Sequence, residues 1–306
     1  MEHIPVMLKE AIKHLDIKPN GTYIDATLGG GTHAAAILKR LSTGRLIAFD
    51  QDAYALDKAK KTKAFDVDKV TFIHSNFKNL RSELQHLGIT KIDGILFDLG
   101  VSSFHFDDFQ RGFSYREDAP LDMRMDQRQE KTAKMIVNTY SESELRSLLY
   151  RYGDEKFAPS IAKNIVKARQ KDPIQTTLEL VTIIKDSYPK KALSQKGHPA
   201  KKTFQAIRIE VNDELNVLKT ALDDALNLLK SSGRIVVITF QSLEDKIVKQ
   251  IFKDKSSIDH PKGLPTMPKE EAPFLWPTKK SITPSNEEIA SNHRAHSAKM
   301  RVLMKR

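Results

Sequence analysis

The chain has 306 residues, no cysteine and a formal net charge of +11, with 40% hydrophobic and 29% charged residues. That size and balance suit a globular chain with one or two cored domains, and the missing cysteines exclude disulfides and thiolate metal sites. No apolar run approaches the ~18 residues of a membrane-spanning helix. The opening MEHIPVMLKEAIKHL carries acid and lacks a signal-type apolar core, so the expected compartment is the cytoplasm.

In chain order, residues 1–108 alternate short strands with helices. Strands are predicted at Thr22–Thr27, Arg45–Phe49, Val70–His74 and Asp93–Leu99, each apolar on both faces and bounded by polar residues or glycine. Helices are predicted at Ala34–Leu41, Ala53–Phe65 and Asn79–Leu87. This alternation argues for a parallel sheet with helices on both faces. From 109 to 207 the strand runs stop, and the pattern predicts helices at Thr132–Thr139, Ser143–Tyr150, Phe157–Gln170 and Thr177–Ser187. Ser141 followed by Glu144 is a capping-box pattern ahead of the second of these. A long helix is then predicted at Glu210–Leu229, a buried strand at Arg234–Phe240 and a helix at Leu243–Lys253. A Pro-, Lys- and Ser-rich stretch follows, Asp254–Asn292, expected to be irregular, before a strand-like Met300–Met304. The expected fold class is therefore α/β. One mostly parallel-sheet domain is built from residues 1–108 and 208–306, with an all-helical domain, 109–207, inserted in it.

Charge is unevenly spread. Residues 1–108 hold 14 basic and 14 acidic residues, residues 109–207 hold 19 and 12, and residues 246–306 hold 13 and 6. A neutral half flanked by basic segments suits a small-molecule pocket beside surfaces that meet a polyanion, although a solvated basic surface gives the same counts.

The turn between the first strand and its helix reads YIDATLGGGTHAAAILKRL, Tyr23 to Leu41. Gly29, Gly31 and Ala34 satisfy the G-x-G-x-x-A dinucleotide pattern, and Asp50 ends the second strand, where a carboxylate accepts hydrogen bonds from ribose hydroxyls. NAD fits that motif. Asp25 at the end of the first strand and Asp98 at the end of the fourth favour S-adenosylmethionine (AdoMet) instead. Acids there suit an ammonium and a sulfonium and would repel a pyrophosphate. In open parallel sheets ligands lie over the carboxyl ends of the strands where strand order reverses, so Asp25, Asp50 and Asp98 are expected to project into one cleft. His33, one turn into the helix, reads equally as a ligand contact or a polar surface residue. No His/Asp/Glu cluster has metal-ligand spacing, and no metal is expected.

From Phe97 to Asp126 the sequence FDLGVSSFHFDDFQRGFSYREDAPLDMRMD is far more specific. Together with HIPVML (His3–Leu8), YIDATLGGGTH (Tyr23–His33), RYGDEKFA (Arg151–Ala158), HPAKKTFQAIRIEVNDEL (His198–Leu215), GRIVVITFQSLEDKIVK (Gly233–Lys249) and NHRAHSAKMRVL (Asn292–Leu303), it resembles the bacterial 16S ribosomal RNA cytidine N4-methyltransferases, the RsmH (MraW) family, over nearly the whole chain. The resemblance implies a Rossmann-like AdoMet-dependent methyltransferase fold whose helical insert recognises RNA. It also implies transfer of the AdoMet methyl to N4 of one cytidine in the decoding centre, the P-site region, of 16S rRNA, with the small ribosomal subunit as partner. The AdoMet contacts it implies fall on Gly31, Thr32, His33, Asp50, Phe77, Asp98 and His105. Gly31–His33 would pass under the methionine part, Asp50 would hold the ribose and Phe77 would pack on the adenine.

Three positions depart from the family pattern: Thr32 replaces the second glycine of its GGH, His105 replaces its usual Gln, and Gln241 replaces the His of its SFHSLED. For the chemistry, cytosine N4 is a weak nucleophile with a delocalised lone pair, so the site must align N4, methyl and sulfur at ~3 Å and accept the N4 hydrogens. Asp98 is the first residue expected in that role, with Ser102 and Ser103 next. The Asp/Asn-Pro-Pro-aromatic tetrad of many amino-methyltransferases is replaced by Asp98-Leu99-Gly100-Val101. Arg111, Arg116, Arg124, Lys201, Lys202, Arg208, Arg294 and Arg301 are expected RNA contacts, with Arg124 open to an ion pair with its flanking acids instead. Two other readings stay open: an NAD-dependent dehydrogenase, or an RNA-binding ribosome assembly factor with a vestigial pocket. The oligomeric state, monomer or homodimer, is open too.

Overall fold

The computed structural model describes residues 5–62, 65–66, 68–100, 108–194, 197–258 and 271–306. They form two compact units, one from residues up to Gly100 and from Leu215 onward, the other from the residues between.

The first unit is built on a seven-stranded sheet in the order β3-β2-β1-β4-β5-β7-β6. The strands are β1 (Thr22–Asp25), β2 (Arg45–Asp50), β3 (Val70–His74), β4 (Ile92–Leu99), β5 (Leu229–Thr239), β6 (Phe274–Leu275) and β7 (Lys299–Lys305). The pairings among β1 to β5 are parallel, while β7 runs antiparallel to β5 and β6. Alternate side chains along each strand serve opposite cores. Ile24, Ile47, Phe49, Ile95, Phe97, Ile235 and Val237 pack with Leu80, Leu84, Leu218, Leu222 and Phe252. Tyr23, Leu46, Ala48, Leu96, Val236 and Ile238 pack on the other face with Ala11, Ile12, Leu15, Ala34 and Ile37. Burial on both faces is why these strands read as unbroken apolar runs rather than alternating ones. Strand order reverses between β1 and β4, so a cleft at their carboxyl ends is the natural ligand position.

The second unit is helical around its own core, to which Leu145, Leu149, Ile161, Ile165, Leu180, Ile184, Phe204 and Ile207 contribute. The capping box at Ser141 and Glu144 forms, and a second forms at Thr176 and Glu179. The helix expected at Glu210–Leu229 is instead two, Ala200–Asn212 and Glu214–Leu228, broken where Asp213 takes a left-handed φ of 49°. The break is held by side chains. Asn212 is buried, donating to Met123 O (2.9 Å) and accepting from Met125 N (2.8 Å), and Arg208 grips Glu214 through Nε and Nη2 at 2.7 and 2.9 Å. Among the described residues no helix is long and apolar enough to cross a membrane.

Candidate active site

The glycine turn leaves β1 and enters the helix Thr32–Leu38. Gly29 and Gly31 have φ of 48° and 75°, in the left-handed region that disfavours a Cβ. At Gly31 a Cβ would also lie 2.9 Å from Phe65 Cζ. Gly31→Ala is therefore expected to destabilise the fold by about 1–2 kcal/mol from backbone strain alone, read as a lowered melting temperature; an unshifted melt would mean the turn relaxes freely. Thr32 opens the helix and is not among the residues with positive φ, so its replacement of a family glycine brings no backbone strain of this kind.

The turn is pinned by Asp50. Its Oδ2 accepts the Gly29 N–H and its Oδ1 the Asp52 N–H, each at 2.8 Å. One strand end is thus tied to the next. The ends of β2 and β3 are joined in turn, with Asn76 Nδ2 donating to Gln51 Oε1 at 2.6 Å. Phe77 follows directly, half-buried and edge-on to Phe97 with centroids 5.7 Å apart.

At the centre Asp25 and Asp98 are brought together by a residue that the sequence reading overlooked. Thr27 donates its backbone N–H to Asp25 Oδ1 (3.0 Å), while its hydroxyl accepts the Asp98 N–H (2.7 Å). Asp25 is fully buried and Asp98 keeps one-fifth of its side chain exposed. His33 is buried as well, with Nδ1 3.6 Å from Asp98 Oδ2. Each of the three retains a buried polar atom without a hydrogen-bond partner: Asp25 Oδ2, Asp98 Oδ1 and His33 Nε2. Burial raises the Asp25 carboxyl to about 6, against the opposing pull of His33 and the Thr27 amide. Burial alone pushes Asp98 up to about 7. His33 is lowered by its burial, which outweighs the nearby Asp25 and a hydrogen bond to the Val6 backbone, and so the ring is neutral at pH 7. The arrangement is a strongly desolvated polar cluster with unpartnered carboxylate oxygens, suited to a group that brings positive charge and N–H donors.

Of the expected site residues, Gly31, Thr32, His33, Asp50, Phe77 and Asp98 lie along the carboxyl ends of β1 to β4 and the turns that follow them. Ser102, Ser103 and His105 fall outside the described residues. Gln241 donates its Nε2 to Glu244 Oε1 (2.9 Å), and its backbone N–H goes to Glu244 Oε2. Its side chain therefore serves the start of the helix Ser242–Ser256.

Several of the expected RNA contacts are structural instead. Arg301 is buried and grips Asp245 at 2.7 and 3.1 Å. Arg111 is buried and donates to the carbonyls of Arg124 and Met125. Arg124 forks onto Asp122 at 2.9 and 2.7 Å. Arg208 is taken by Glu214. Arg116, Lys201, Lys202 and Arg294 are exposed, although the Lys202 ammonium donates to the Asp154 carbonyl at 2.7 Å. Sequence supplies the charge of a side chain, whereas only the fold supplies its partner.

A model of the MraW methylase family matches residues 1–306. The chain is 54% identical over 305 residues to ribosomal RNA small subunit methyltransferase H of Limosilactobacillus fermentum, covering 98% of this chain and 97% of that protein. It is also 54% identical over 309 residues to the protein of the same name from Leuconostoc mesenteroides, covering 100% and 99%. Among solved structures, a methyltransferase from Streptococcus mutans in complex with SAH aligns over 99% of this chain and 100% of that chain, at 12% identity and a TM-score of 0.46.

Proposed function

The chain belongs to the MraW methylase family, and from that premise we propose that the cleft at the ends of β1, β2 and β4 binds AdoMet for methylation of N4 of a cytidine in 16S rRNA. The enzyme is an AdoMet-dependent methyltransferase of small-subunit ribosomal RNA. Its partner is the rRNA of the small ribosomal subunit, and its compartment the cytoplasm, where that RNA is assembled. The helical unit and the exposed basic residues Arg116, Lys201, Lys202 and Arg294 are the RNA-facing parts.

One observation carries this reading: the unpartnered buried atoms of Asp25, Asp98 and His33. Leaving such groups unpaired costs about 1–3 kcal/mol each, and AdoMet, with its ammonium and sulfonium, supplies what they lack. A pyrophosphate would bring negative charge against two carboxyls, so the nicotinamide dinucleotide reading of the glycine motif is not favoured.

AdoMet supplies a methyl group already activated on sulfur; the protein has to bind, align and handle one proton. The left-handed backbone at Gly29 and Gly31 gives the methionine part close approach. Asp25 Oδ2 accepts from the ammonium. Asp50 keeps the turn in place through two amides and stands at the end of β2, where a carboxylate meets the ribose hydroxyls. Phe77, stiffened by Phe97, forms an apolar wall for the adenine. Asp98 faces the reacting end, where its free Oδ1 accepts an N4 hydrogen. This turns the amine out of conjugation and then takes the proton that N4 sheds as it gains the methyl. That proton is strongly acidic, so a carboxylate is a sufficient base.

The direct test incubates the enzyme with labelled AdoMet and small subunits lacking the modification, followed by nucleoside mapping. Label in N4-methylcytidine is expected; label in another nucleoside would overturn the assignment. A second test concerns Asp50. Asp50→Ala is expected to weaken AdoMet binding by about 1–3 kcal/mol in titration calorimetry and to lower the melting temperature, because the Gly29 and Asp52 amides lose their acceptor. Unchanged affinity would remove Asp50 from the site.

A further inference from the structure

Within the helical unit, Tyr115 and His198 lie ring on ring, with centroids 4.4 Å apart and planes 12° from parallel. Tyr115 also meets Phe204 edge-on at 5.7 Å, and Phe204 is buried in the unit's core. The stack is thus rooted at one end, yet both of its own rings remain partly exposed. A pair placed only for packing would bury its rings and give its polar tips to protein partners. The tips of these rings have no such partners among the described residues. Among the described residues Tyr115 Oη has no hydrogen-bond partner, and His198 uses only Nδ1, which accepts the Ala200 N–H at 3.2 Å. With Nδ1 accepting, the neutral ring carries its proton on Nε2, a free donor.

The charges that act on His198 are cations. His198 is held below its ordinary value first by burial and then by Lys185 and Arg116, with no carboxylate among the causes. The ring is therefore neutral at pH 7 and faced by cations. Arg116, Lys185 and Lys201 are exposed, and their side chains make no ion pair among the described residues. A flat, rigid, half-open aromatic pair rimmed by unpaired cations is the arrangement that takes an unstacked nucleobase on its face and phosphates at its edge.

We propose that the Tyr115–His198 stack is a binding site for an unpaired base of single-stranded RNA, with Arg116, Lys185 and Lys201 contacting the adjoining phosphates. This rests on the reading of the chain as an rRNA methyltransferase and adds to it a recognition site in the helical unit. Stacking is sequence-tolerant, so the site would hold the substrate strand without choosing the methylated base. That choice would remain with the cleft.

The test uses the full-length protein and a single-stranded oligoribonucleotide of ~12 nucleotides carrying one 2-aminopurine, whose fluorescence is quenched by stacking. Three variants separate the ring from the fold. Tyr115→Phe keeps the ring. Tyr115→Leu keeps apolar volume against Phe204 and loses the ring. His198→Asn keeps an acceptor for the Ala200 N–H and loses the ring. Wild type and Tyr115→Phe are expected to bind and quench. Tyr115→Leu and His198→Asn are expected to lose the quenching and about ten-fold in RNA affinity, within the range known for one base stacked on one aromatic, while melting temperature, AdoMet affinity and the salt slope of RNA binding stay put. Folded Tyr115→Leu and His198→Asn proteins that quench and bind like wild type would overturn the stacking site but leave the rRNA reading intact. Should Tyr115→Leu fail to fold, His198→Asn decides alone. A wild-type protein that binds neither this RNA nor small subunits would instead remove the rRNA reading itself.

Discussion

Asp98→Asn is expected to lower kcat by about 100- to 10,000-fold, the range for loss of a positioned proton acceptor, while AdoMet affinity changes far less. Asn keeps the size of the side chain and one carbonyl acceptor, and the Asp98 N–H stays on Thr27 Oγ1, so the strand end is undisturbed. What is lost is the ability to take a proton. The pH profile identifies this role. Asp98 sits at about 7 against an ordinary 3.8, so the wild-type rate should climb as pH rises through 7 and level off above it. Titration calorimetry of AdoMet should show affinity strengthening as pH rises through about 6, where Asp25 ionises, because its carboxylate then holds the ammonium. Stability runs the other way. A carboxyl raised in the folded state holds a proton that the unfolded chain releases, so its contribution is full below about 3.8 and is lost as pH rises through about 6 for Asp25 and about 7 for Asp98. The unliganded protein should therefore melt lower at pH 8 than at pH 5 on account of these groups, and saturating AdoMet should reverse that trend. An Asp98→Asn enzyme that keeps both its rate and a profile rising through 7 would remove Asp98 as the proton acceptor.

The strand ends that carry the candidate site are legible in the sequence because their determinants are local. Doubly buried parallel strands must be apolar on both faces, so their ends could be marked, and the acids standing there, Asp25, Asp50 and Asp98, could be marked with them. Gly31 was marked by the glycine turn between strand and helix, where its φ of 75° is the left-handed kind that favours glycine. What stayed hidden was partnership between distant segments. Nothing about a threonine two residues past Asp25 signals that it joins β1 to β4. Nor does the spacing of Asp25, His33 and Asp98 say that one atom of each will be buried without a partner. The helix break at Asp213 has no Gly or Pro to mark it in the sequence; the interruption is held by Asn212 reaching back to Met123 and Met125. Arg111, Arg208 and Arg301 were misjudged for the converse reason. A basic residue in a basic chain looks free until its carboxylate or carbonyl is located.

Arg301 turns that last point into a measurement. It lies on β7 opposite Val237 of β5, and it forks onto Asp245 in the first turn of the helix Ser242–Ser256 at 2.7 and 3.1 Å. The Trp276 ring lies 5.7 Å from its guanidinium carbon, and Lys299 approaches the same carboxylate at 3.6 Å. Burial by itself would raise Asp245, but the Arg301 hydrogen bonds and charge, helped by Lys299, hold it below the ordinary value. An exposed pair would matter little, about 0–1 kcal/mol, but both of these residues are buried, and removing one strands the other's charge in a low-dielectric setting. Arg301→Ala is therefore expected to cost about 3–5 kcal/mol of stability, a fall of roughly 10 °C in melting temperature for a chain of this size. Arg301→Lys should recover only part of it, since an ammonium cannot reproduce the fork. Combining Arg301→Ala with Asp245→Asn should cost less than the two single losses added together, because the stranded charge is gone. Lys299, exposed and 3.6 Å away, is too loosely held to compensate. The salt slope of RNA binding should not change in any of these variants that remains folded. A protein that melts normally with Ala at 301 but binds RNA with a shallower slope would make Arg301 a phosphate contact after all, and would return the buried pair to the basic surface.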